Sequence, residues 1–341
     1  MSRPASKPRR AALLATGSFL PPTVVSNQEI ITRYRHGVAA TAVHKVYGIE
    51  RRHVAEPGMA DSDLLAQAAR LALERAGRRP EDLSKLIVTK FLGDRLLPMT
   101  ASATQEKLGS SVAFQALDVD GGSNAFLQAL EAAAAAIAMG DDLVLLTSGG
   151  IHNRIVSRQD PRLAFLYGDG AAAVLLGLAT PELGASRIEA SYQLSDASAL
   201  DFARGFELRK KMTADLHQTD YHGVFDLYEG GDWRGIQDRV LDLVGRVTRE
   251  VLANAQMRLE DMDLVLLSEN HHRVWCAVLD HLGVPREKTV SMVEECGNTM
   301  SAMLPLLLDH SIAQGRLNRG QRVLLLSIGE GLSCGGMVVT Y

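Results

Sequence analysis

The sequence has few cysteines, few aromatic residues and no long apolar run. Its three cysteines, Cys276, Cys296 and Cys334, lack the paired spacing of a disulfide framework or a metal cage. We therefore expect a reducing, cytoplasmic compartment and no metal site. No apolar run is long enough to cross a bilayer, and a formal net charge of −4 gives no support to nucleic-acid binding. Neither a membrane nor a nucleic acid is an expected partner.

The N-terminal stretch MSRPASKPRRAALLATGSFLPP imitates a secretion signal, because basic residues precede apolar ones. Its apolar part is short and is interrupted by Gly17, so we predict a disordered tail followed by a first strand. Apolar residues make up 46% of the chain and charged residues 22%, which is typical of a globular protein with a substantial core.

The chain repeats one pattern at an offset of about 175 to 180 residues. LERAGRRPEDLSKLIVTKF, from Leu73, matches LANAQMRLEDMDLVLLSEN, from Leu252, and each predicts an amphipathic helix, an acidic turn and an apolar strand. DGGSNAFLQALEAAAAAI matches ECGNTMSAMLPLLLDHSI, and GDDLVLLTSGG matches GQRVLLLSIGEG. We therefore predict two α/β units, residues 1–178 and 179–341, packed as layers around a shared interior.

Several predicted strands, such as KLIVTKF and LVLLTS, are continuously apolar, which indicates a sheet covered on both faces. Residues 185–235 break the pattern, because they are mostly polar and interspersed with aromatic side chains. We interpret this segment as an irregular insertion or lid over a site.

Ser123 lies in DVDGGSNAF, where a predicted strand turns into a predicted helix. Serine is a favoured helix N-cap. The start of a helix also stabilises developing negative charge, and two preceding glycines permit close approach by a substrate. From these residues alone, Ser123 is either a cap or a nucleophile.

A histidine pair, His271 and His272, follows the predicted strand in LVLLSENHHRVW. Ligands of α/β folds bind beyond the ends of such strands, and a neutral imidazole can accept a proton or donate a hydrogen bond. The alternative is a pair of histidines satisfied by hydrogen bonds within the loop.

The repeat aligns Ser123 with Asn298, each just after a glycine at a predicted helix start, and a pseudo-twofold arrangement would make the two turns face each other. The Asn298 amide can donate a hydrogen bond to an oxyanion or enolate, or cap its helix. The glycine-rich stretch GEGLSCGG (329–336) can supply backbone N–H groups to an oxyanion hole, or only connect two strands.

Two other motifs give weaker indications of function. YGDGAAAVLLG (167–177) lacks the GxGxxG spacing and has no predicted helix after it, so we reject a dinucleotide site and expect no cofactor. The basic run that contains Arg209, Lys210 and Lys211 is typical of solvated surface, or of a weak contact with an acidic partner.

The motifs occur in a specific order: TGSFLPPTVVSN, GIERRHVAEP, DVDGGSNAF, YGDGAAAVLL, ENHHRVW, CGNTMSAMLP and GEGLSCGG. This set resembles the ketoacyl-acyl-carrier-protein synthase III family of the thiolase superfamily, from about Ala12 to the C-terminus. The resemblance implies a duplicated five-layer αβαβα fold, normally a homodimer. It also implies an acyltransferase that uses acyl thioesters and acyl carrier protein in fatty-acid, polyketide or related specialised metabolism.

The resemblance assigns roles to individual positions. Ser123 falls on the nucleophile, His271 on the catalytic histidine and Asn298 on the catalytic asparagine. The backbone at Glu330 and Gly331 falls on the oxyanion loop.

The resemblance also suggests residues around the substrate. Leu97 falls where the family sends a side chain across the dimer interface. His272 and Val274 are expected to line the pocket or contact the partner.

The chain departs from the family pattern at three places. Serine replaces the nucleophilic cysteine and therefore depends on His271 as general base. A natural variant, a deliberate replacement and a degenerate subunit all remain open explanations. Ala42 and Val46 replace the tryptophan and arginine that sandwich adenine in the family, which favours a carrier-bound or otherwise unusual acyl donor over coenzyme A. Val274 replaces an amide that assists decarboxylation, which favours acyl transfer over decarboxylative condensation.

Two further hypotheses come from other functional classes. GGSNA is close to the G-x-S-x-G elbow of α/β-hydrolases, but alanine ends it and the half-chain duplication does not belong to that fold. A non-catalytic partner subunit would explain serine at position 123, but it would not need His271 and Asn298.

Overall fold

The computed structural model describes residues 9–95, 97–154, 156–184, 186–197, 208–210, 225–227, 236–269 and 271–341. Strands β1 to β13 cover Ala11–Phe19, Thr23–Ser26, Arg51–Val54, Lys85–Lys90, Gln115–Asp120, Leu143–Gly150, Gly170–Leu178, Arg187–Ser195, Leu208–Lys210, Phe225–Leu227, Leu264–Leu267, Arg322–Gly329 and Ser333–Thr340. Helices α1 to α10 cover Asn27–Tyr34, Ala40–Tyr47, Asp61–Arg75, Thr100–Leu108, Ala125–Met139, Pro161–Ala164, Ile236–Ala255, His272–Leu282, Val293–Cys296 and Met303–Ala313.

Two larger sheets form the second and fourth layers of the molecule. The first has the order β1-β7-β6-β4-β5, with β4 parallel to β5 and β6 and with β7 antiparallel to β1 and β6. The second has the order β11-β12-β13-β8, with β11 parallel to β12 and the other pairs antiparallel. Helices α3 and α4 cover the outer face of the first sheet, and α7 packs on the second.

The central layer consists of α5 and α10, which lie between the two sheets. Both helices contact strands of each sheet. Their fully buried side chains, among them Phe126, Leu130, Leu304 and Leu307, form one core with inward-facing residues of β6 and β12. Burying a large aliphatic or aromatic side chain contributes about 1.5–3 kcal/mol, so this layer is a main source of stability. The five-layer αβαβα fold expected from the sequence is confirmed.

The duplication is visible in the topology. Strands β1, β4, β6 and β7 of the first sheet hold the positions that β8, β11, β12 and β13 hold in the second. A 3-10 turn links α3 to β4 and another links α7 to β11. In each turn a carboxylate, Asp82 or Asp261, accepts the backbone N–H of Arg79 or Arg258 at 2.9 Å. The boundary that we predicted at 178/179 falls between β7 and β8.

A buried carboxylate ties the central layer to the layers outside it. Asp309 of α10 accepts hydrogen bonds from Thr16 Oγ1 at 2.6 Å and from Ser18 Oγ at 2.5 Å, both on β1. Its Oδ1 also lies 2.5 Å from Arg75 Nη1, at the end of α3. Gly17, between the two hydroxyl donors, has no room for a side chain, because a Cβ there would lie 2.5 Å from backbone atoms of α3.

The structure describes parts of two segments for which the sequence made a prediction, the N-terminus and residues 185–235. The first strand is present as β1, and the tail predicted to precede it lies in residues 1–8, outside the described residues. The segment 185–235 was predicted to be irregular, and this was wrong for its first part, since Arg187–Ser195 is the regular edge strand β8. Between positions 197 and 236, the structure describes only the short strands β9 and β10.

Candidate active site

Ser123 lies in the short turn between β5 and α5, but it does not cap the helix. The N-cap is Asn124, which makes no side-chain capping bond. Ser123 is 1% exposed, and its Oγ has no hydrogen-bond partner in the described part of the chain. Its carbonyl accepts a hydrogen bond from Ser327 Oγ of β12 at 2.9 Å. The structure thus removes the N-cap alternative and leaves a buried hydroxyl, held between the two halves, that is not otherwise used.

The side chain of Glu330 reaches this turn, which we did not predict, because only its backbone was assigned a role. Glu330 Oε2 accepts the backbone N–H of Ser123 at 3.1 Å. A Cβ at Gly122 would lie 1.6 Å from the same oxygen. Glycine at 122 therefore leaves room for the carboxyl group, since any side chain there would displace it.

Glu330 is an exposed residue whose carboxyl group lies against the nucleophile turn. The residue keeps solvent-accessible surface, yet burial raises the pKa of its carboxyl, opposed by hydrogen bonds from its own backbone N–H and from that of Ser123. Burial also raises the pKa of the Tyr167 hydroxyl, and the charge of Glu330 adds to that shift. The carboxyl of Glu330 therefore lies close enough to Tyr167 to influence its hydroxyl electrostatically.

Asn298 adjoins Tyr167. The two residues form an isolated parallel bridge, in which Asn298 N–H donates to Leu166 O at 2.9 Å and Asn298 O accepts from Gly168 N–H at 3.0 Å. The side-chain Oδ1 accepts from Met300 N–H at 2.7 Å, at the first residue of a 3-10 turn whose N-cap is Thr299. Asn298 is therefore not the N-cap, but its amide oxygen supports the turn. The other end, Nδ2, keeps its donor capacity and has no acceptor among the described residues.

The structure gives the two histidines different environments. His271 is the N-cap residue of α8 and lies edge-on to Tyr47, with ring centroids 5.6 Å apart. Its Nδ1 is buried and has no partner within the described ranges. Burial lowers the pKa of His271, and the positive charges of Arg273 and His272 lower it further. His271 is therefore neutral near pH 7 and able to accept a proton.

His272 is held by a carboxylate that we did not predict. Its Nδ1 lies 2.7 Å from Oε1 of Glu269, a fully buried residue that also accepts from Ser291 Oγ at 2.6 Å. Its Nε2 lies 3.5 Å from Cys276 Sγ, one helical turn further along α8. The loop-satisfied alternative therefore fits His272 and not His271. Glu269, two positions before the histidine pair, was the feature of the sequence that could have predicted this contact.

The remaining predicted positions are scattered. Leu97 is 77% exposed, Ala42 and Val46 are exposed on α2, and Val274 packs at the edge of the core between α7, α8 and the second sheet. Arg209 and Lys210 belong to β9, but their side chains, like all of Lys211, lie outside the described residues.

The described contacts join some of these groups directly. Ser123 is hydrogen-bonded to Glu330, and Asn298 forms a bridge with Tyr167. His271 contacts Tyr47. The described residues hold no cluster of three or more His, Cys, Asp or Glu side chains that could bind a metal ion. None of their helices is long and apolar enough to span a membrane.

Comparisons with known proteins agree with one another. Family models described as 3-oxoacyl-[acyl-carrier-protein (ACP)] synthase III and its C-terminal part match residues 117–195 and 252–341. The beta-ketoacyl-[acyl-carrier-protein] synthase III 3 of Streptomyces coelicolor is 32% identical over 340 residues, which cover 98% of each chain.

Solved structures show the same relationship. The 3-oxoacyl-(acyl carrier protein) synthase III of Pseudomonas aeruginosa PAO1 superposes with a TM-score of 0.84, at 26% identity and 98% coverage of both chains. The priming beta-ketosynthase of the R1128 polyketide biosynthetic pathway gives the same score and identity, and the match covers 99% of this chain and 98% of that one.

Proposed function

Because the chain belongs to the 3-oxoacyl-[acyl-carrier-protein] synthase III family, we propose that it transfers an acyl group from a thioester to Ser123 and then to a second substrate. As a ketosynthase III-like condensing enzyme, it acts in fatty-acid or polyketide biosynthesis. The observation that carries the proposal is the buried Oγ of Ser123, which has no partner among the described residues. A buried hydroxyl without a hydrogen bond is costly, so its presence supports a chemical use.

In the first step, Ser123 Oγ attacks the thioester carbonyl. The Oγ–C bond forms, the C–S bond breaks, and the Oγ proton passes to His271 and then to the departing thiolate. Serine needs this base because its hydroxyl is weakly acidic. The lowered pKa of His271 supports the assignment, since only the neutral imidazole can accept a proton. The N-terminus of α5 stabilises the negative charge that develops next to it.

In the second step, a nucleophile attacks the ester carbonyl and the C–Oγ bond breaks. An oxygen, nitrogen or sulfur nucleophile passes its proton through His271 to Ser123 Oγ. A carbon nucleophile is the carbanion left by loss of CO2 from a malonyl thioester, and Oγ then takes its proton from solvent. The Nδ2 of Asn298 donates to the carbonyl oxygen of the second substrate. This role is supported by the bond from Met300 N–H to Oδ1, which fixes the orientation of the amide. An oxyester is a poorer electrophile than a thioester, so carbon–carbon condensation should be slower than with cysteine at this position.

Acyl carrier protein is the proposed donor, because the exposed α2 positions Ala42 and Val46 offer no surface for stacking an adenine. A homodimer is the proposed assembly. It is supported by the exposed Leu97 and by the edge strand β5, which among the described strands pairs only with β4. An open edge of this kind is a ready template for pairing with a second chain.

Intact-protein mass spectrometry with acyl carrier protein thioesters and coenzyme A thioesters tests the proposal. We expect a mass increase of one acyl group on the wild type and on Ser123→Cys, and none on Ser123→Ala. An adduct on Ser123→Ala would place the nucleophile elsewhere. The absence of an adduct from both the wild type and Ser123→Cys would instead support the non-catalytic subunit.

A further inference from the structure

The carboxyl group of Glu330 occupies a place where the proposed chemistry needs empty donors. Its Oε2 accepts the N–H of Ser123 at 3.1 Å. One anionic group therefore engages the backbone donor of the nucleophile turn.

The N–H of Ser123 lies where an oxyanion hole needs a donor. An acyl group on Ser123 Oγ carries its carbonyl oxygen close to the backbone of the same residue, and backbone N–H groups are the usual donors to the developing oxyanion. A carboxylate oxygen resembles that oxyanion in charge and in the bonds that it accepts. The carboxyl group and the tetrahedral intermediate therefore compete for the N–H of Ser123.

We propose that Glu330 closes the oxyanion hole in the free enzyme, with its carboxylate bound to the backbone N–H of Ser123, and that it must swing out before Ser123 can be acylated. This inference rests on the proposed acyl-enzyme at Ser123. Glu330 is then a positioning residue that limits acylation to substrates whose binding displaces it.

The surroundings of the side chain fit this role. Gly122 provides the space that the carboxyl fills, since a Cβ there would lie 1.6 Å from Oε2. In the described part of the chain Glu330 forms no ion pair, so no cation fixes the carboxylate in place. The residue also keeps solvent-accessible surface, which gives the side chain somewhere to move.

The test compares the wild type, Glu330→Gln and Glu330→Ala for the rate of acyl-Ser123 formation at subsaturating thioester. A hydrogen bond to a charged group contributes roughly 1.5–3 kcal/mol, so removing the competitor should accelerate acylation about tenfold to a hundredfold. Glutamine keeps an acceptor without the charge, and we expect an intermediate rate. Glu182→Ala, a surface change far from this loop in sequence, serves as the matched control and should be unchanged.

A second readout avoids the thioester. An alkylboronic acid accepts the Oγ lone pair of Ser123, the Oγ proton passes to His271, and the anionic boronate needs the same oxyanion hole. Isothermal titration calorimetry should show tighter binding to Glu330→Ala than to the wild type. In the reverse design, the Cβ added by Gly122→Ala should expel the carboxyl, with an effect that disappears when Glu330 is already alanine.

The outcomes separate the two proposals. If no variant is acylated at Ser123, the proposed function fails. If Ser123 is acylated but Glu330→Ala reacts at the wild-type rate or more slowly, and binds the boronic acid no better, then Glu330 does not close the hole. Unchanged melting temperatures across the series ensure that the differences in rate do not reflect unfolding.

Discussion

Asn298 offers a way to separate a structural role from a chemical one, because its amide has two ends with different tasks. Oδ1 accepts the N–H of Met300 at 2.7 Å and stabilises the turn. Nδ2 is assigned the second-substrate carbonyl. Asn298→Asp at about pH 8, where the new side chain is ionised, keeps the acceptor and removes the donor, whereas Asn298→Ala removes both.

The expected magnitudes follow from these contacts. Loss of one donor to a developing oxyanion costs about 10²–10³ in rate, so both variants should lose that factor in the second step. Asn298 is 5% exposed, so Asn298→Ala leaves the N–H of Met300 without its acceptor in a buried place. This loss should cost a further 1–3 kcal/mol of folding stability, roughly. Asn298→Asp should cost less, because its carboxylate still accepts that N–H.

Single-turnover kinetics provides the assay. The acyl-enzyme is formed with excess acyl thioester and timed by mass spectrometry, and its consumption is then timed after addition of the acceptor. We expect acylation to change by less than about threefold while the second step falls by 10²–10³. Asn318→Asp is the matched control, since Asn318 is an exposed asparagine with local hydrogen bonds.

Two results would refute the reasoning. Equal loss in both steps would show that Asn298 acts on acylation or on the fold as a whole. A fully active Asn298→Asp beside an impaired Asn298→Ala would show that only the turn matters.

Three further predictions concern other parts of the molecule. In a Glu330→Ala background, the rate of acylation should stay constant as the pH falls to about 6.5, the usual pKa of histidine, and should decline only below it. The reason is that the pKa of His271 is lowered. A decline that begins at higher pH would contradict this. Asp309→Ala, which strands buried hydroxyl donors, should lower the free energy of unfolding in urea by about 2–4 kcal/mol, and a loss below about 1 kcal/mol would show that solvent replaces the carboxylate. Leu97→Glu should shift the protein toward monomer in sedimentation analysis, whereas Met139→Glu, at a side chain that is 90% exposed, should not; equal behaviour of the two would remove Leu97 from the interface.

The layered fold was predictable because both halves use strong local signals. Helix-period apolar residues before Pro80 and before Leu259, each followed by an acidic turn and an apolar strand, indicate the same unit twice. Strand β8 was also predictable from its alternation, since Ile188, Ala190, Tyr192 and Leu194 repeat with period two. The prediction missed it because the polar residues that follow were treated as part of the same segment.

The site was less predictable, because its key contacts join residues far apart in sequence. Ser123 could be singled out from its glycines and the helix that follows, but nothing local shows that its hydroxyl lacks a partner. The contact between Ser123 and Glu330 spans 207 positions and depends on the missing side chain of Gly122. Likewise, His271 and His272 are equivalent in the sequence, and only the packing of Tyr47 and Glu269 makes them different.

The open edge of the first sheet and the nucleophile turn belong to one continuous stretch of chain. Strand β5 ends at Asp120, and only Gly121 and Gly122 separate it from Ser123. In the proposed homodimer, a chain paired with β5 would hold in place the strand that ends three peptide bonds before Ser123. Such pairing would link assembly to reactivity. A change that loosens this edge should displace the Ser123 hydroxyl before it lowers the stability of the fold.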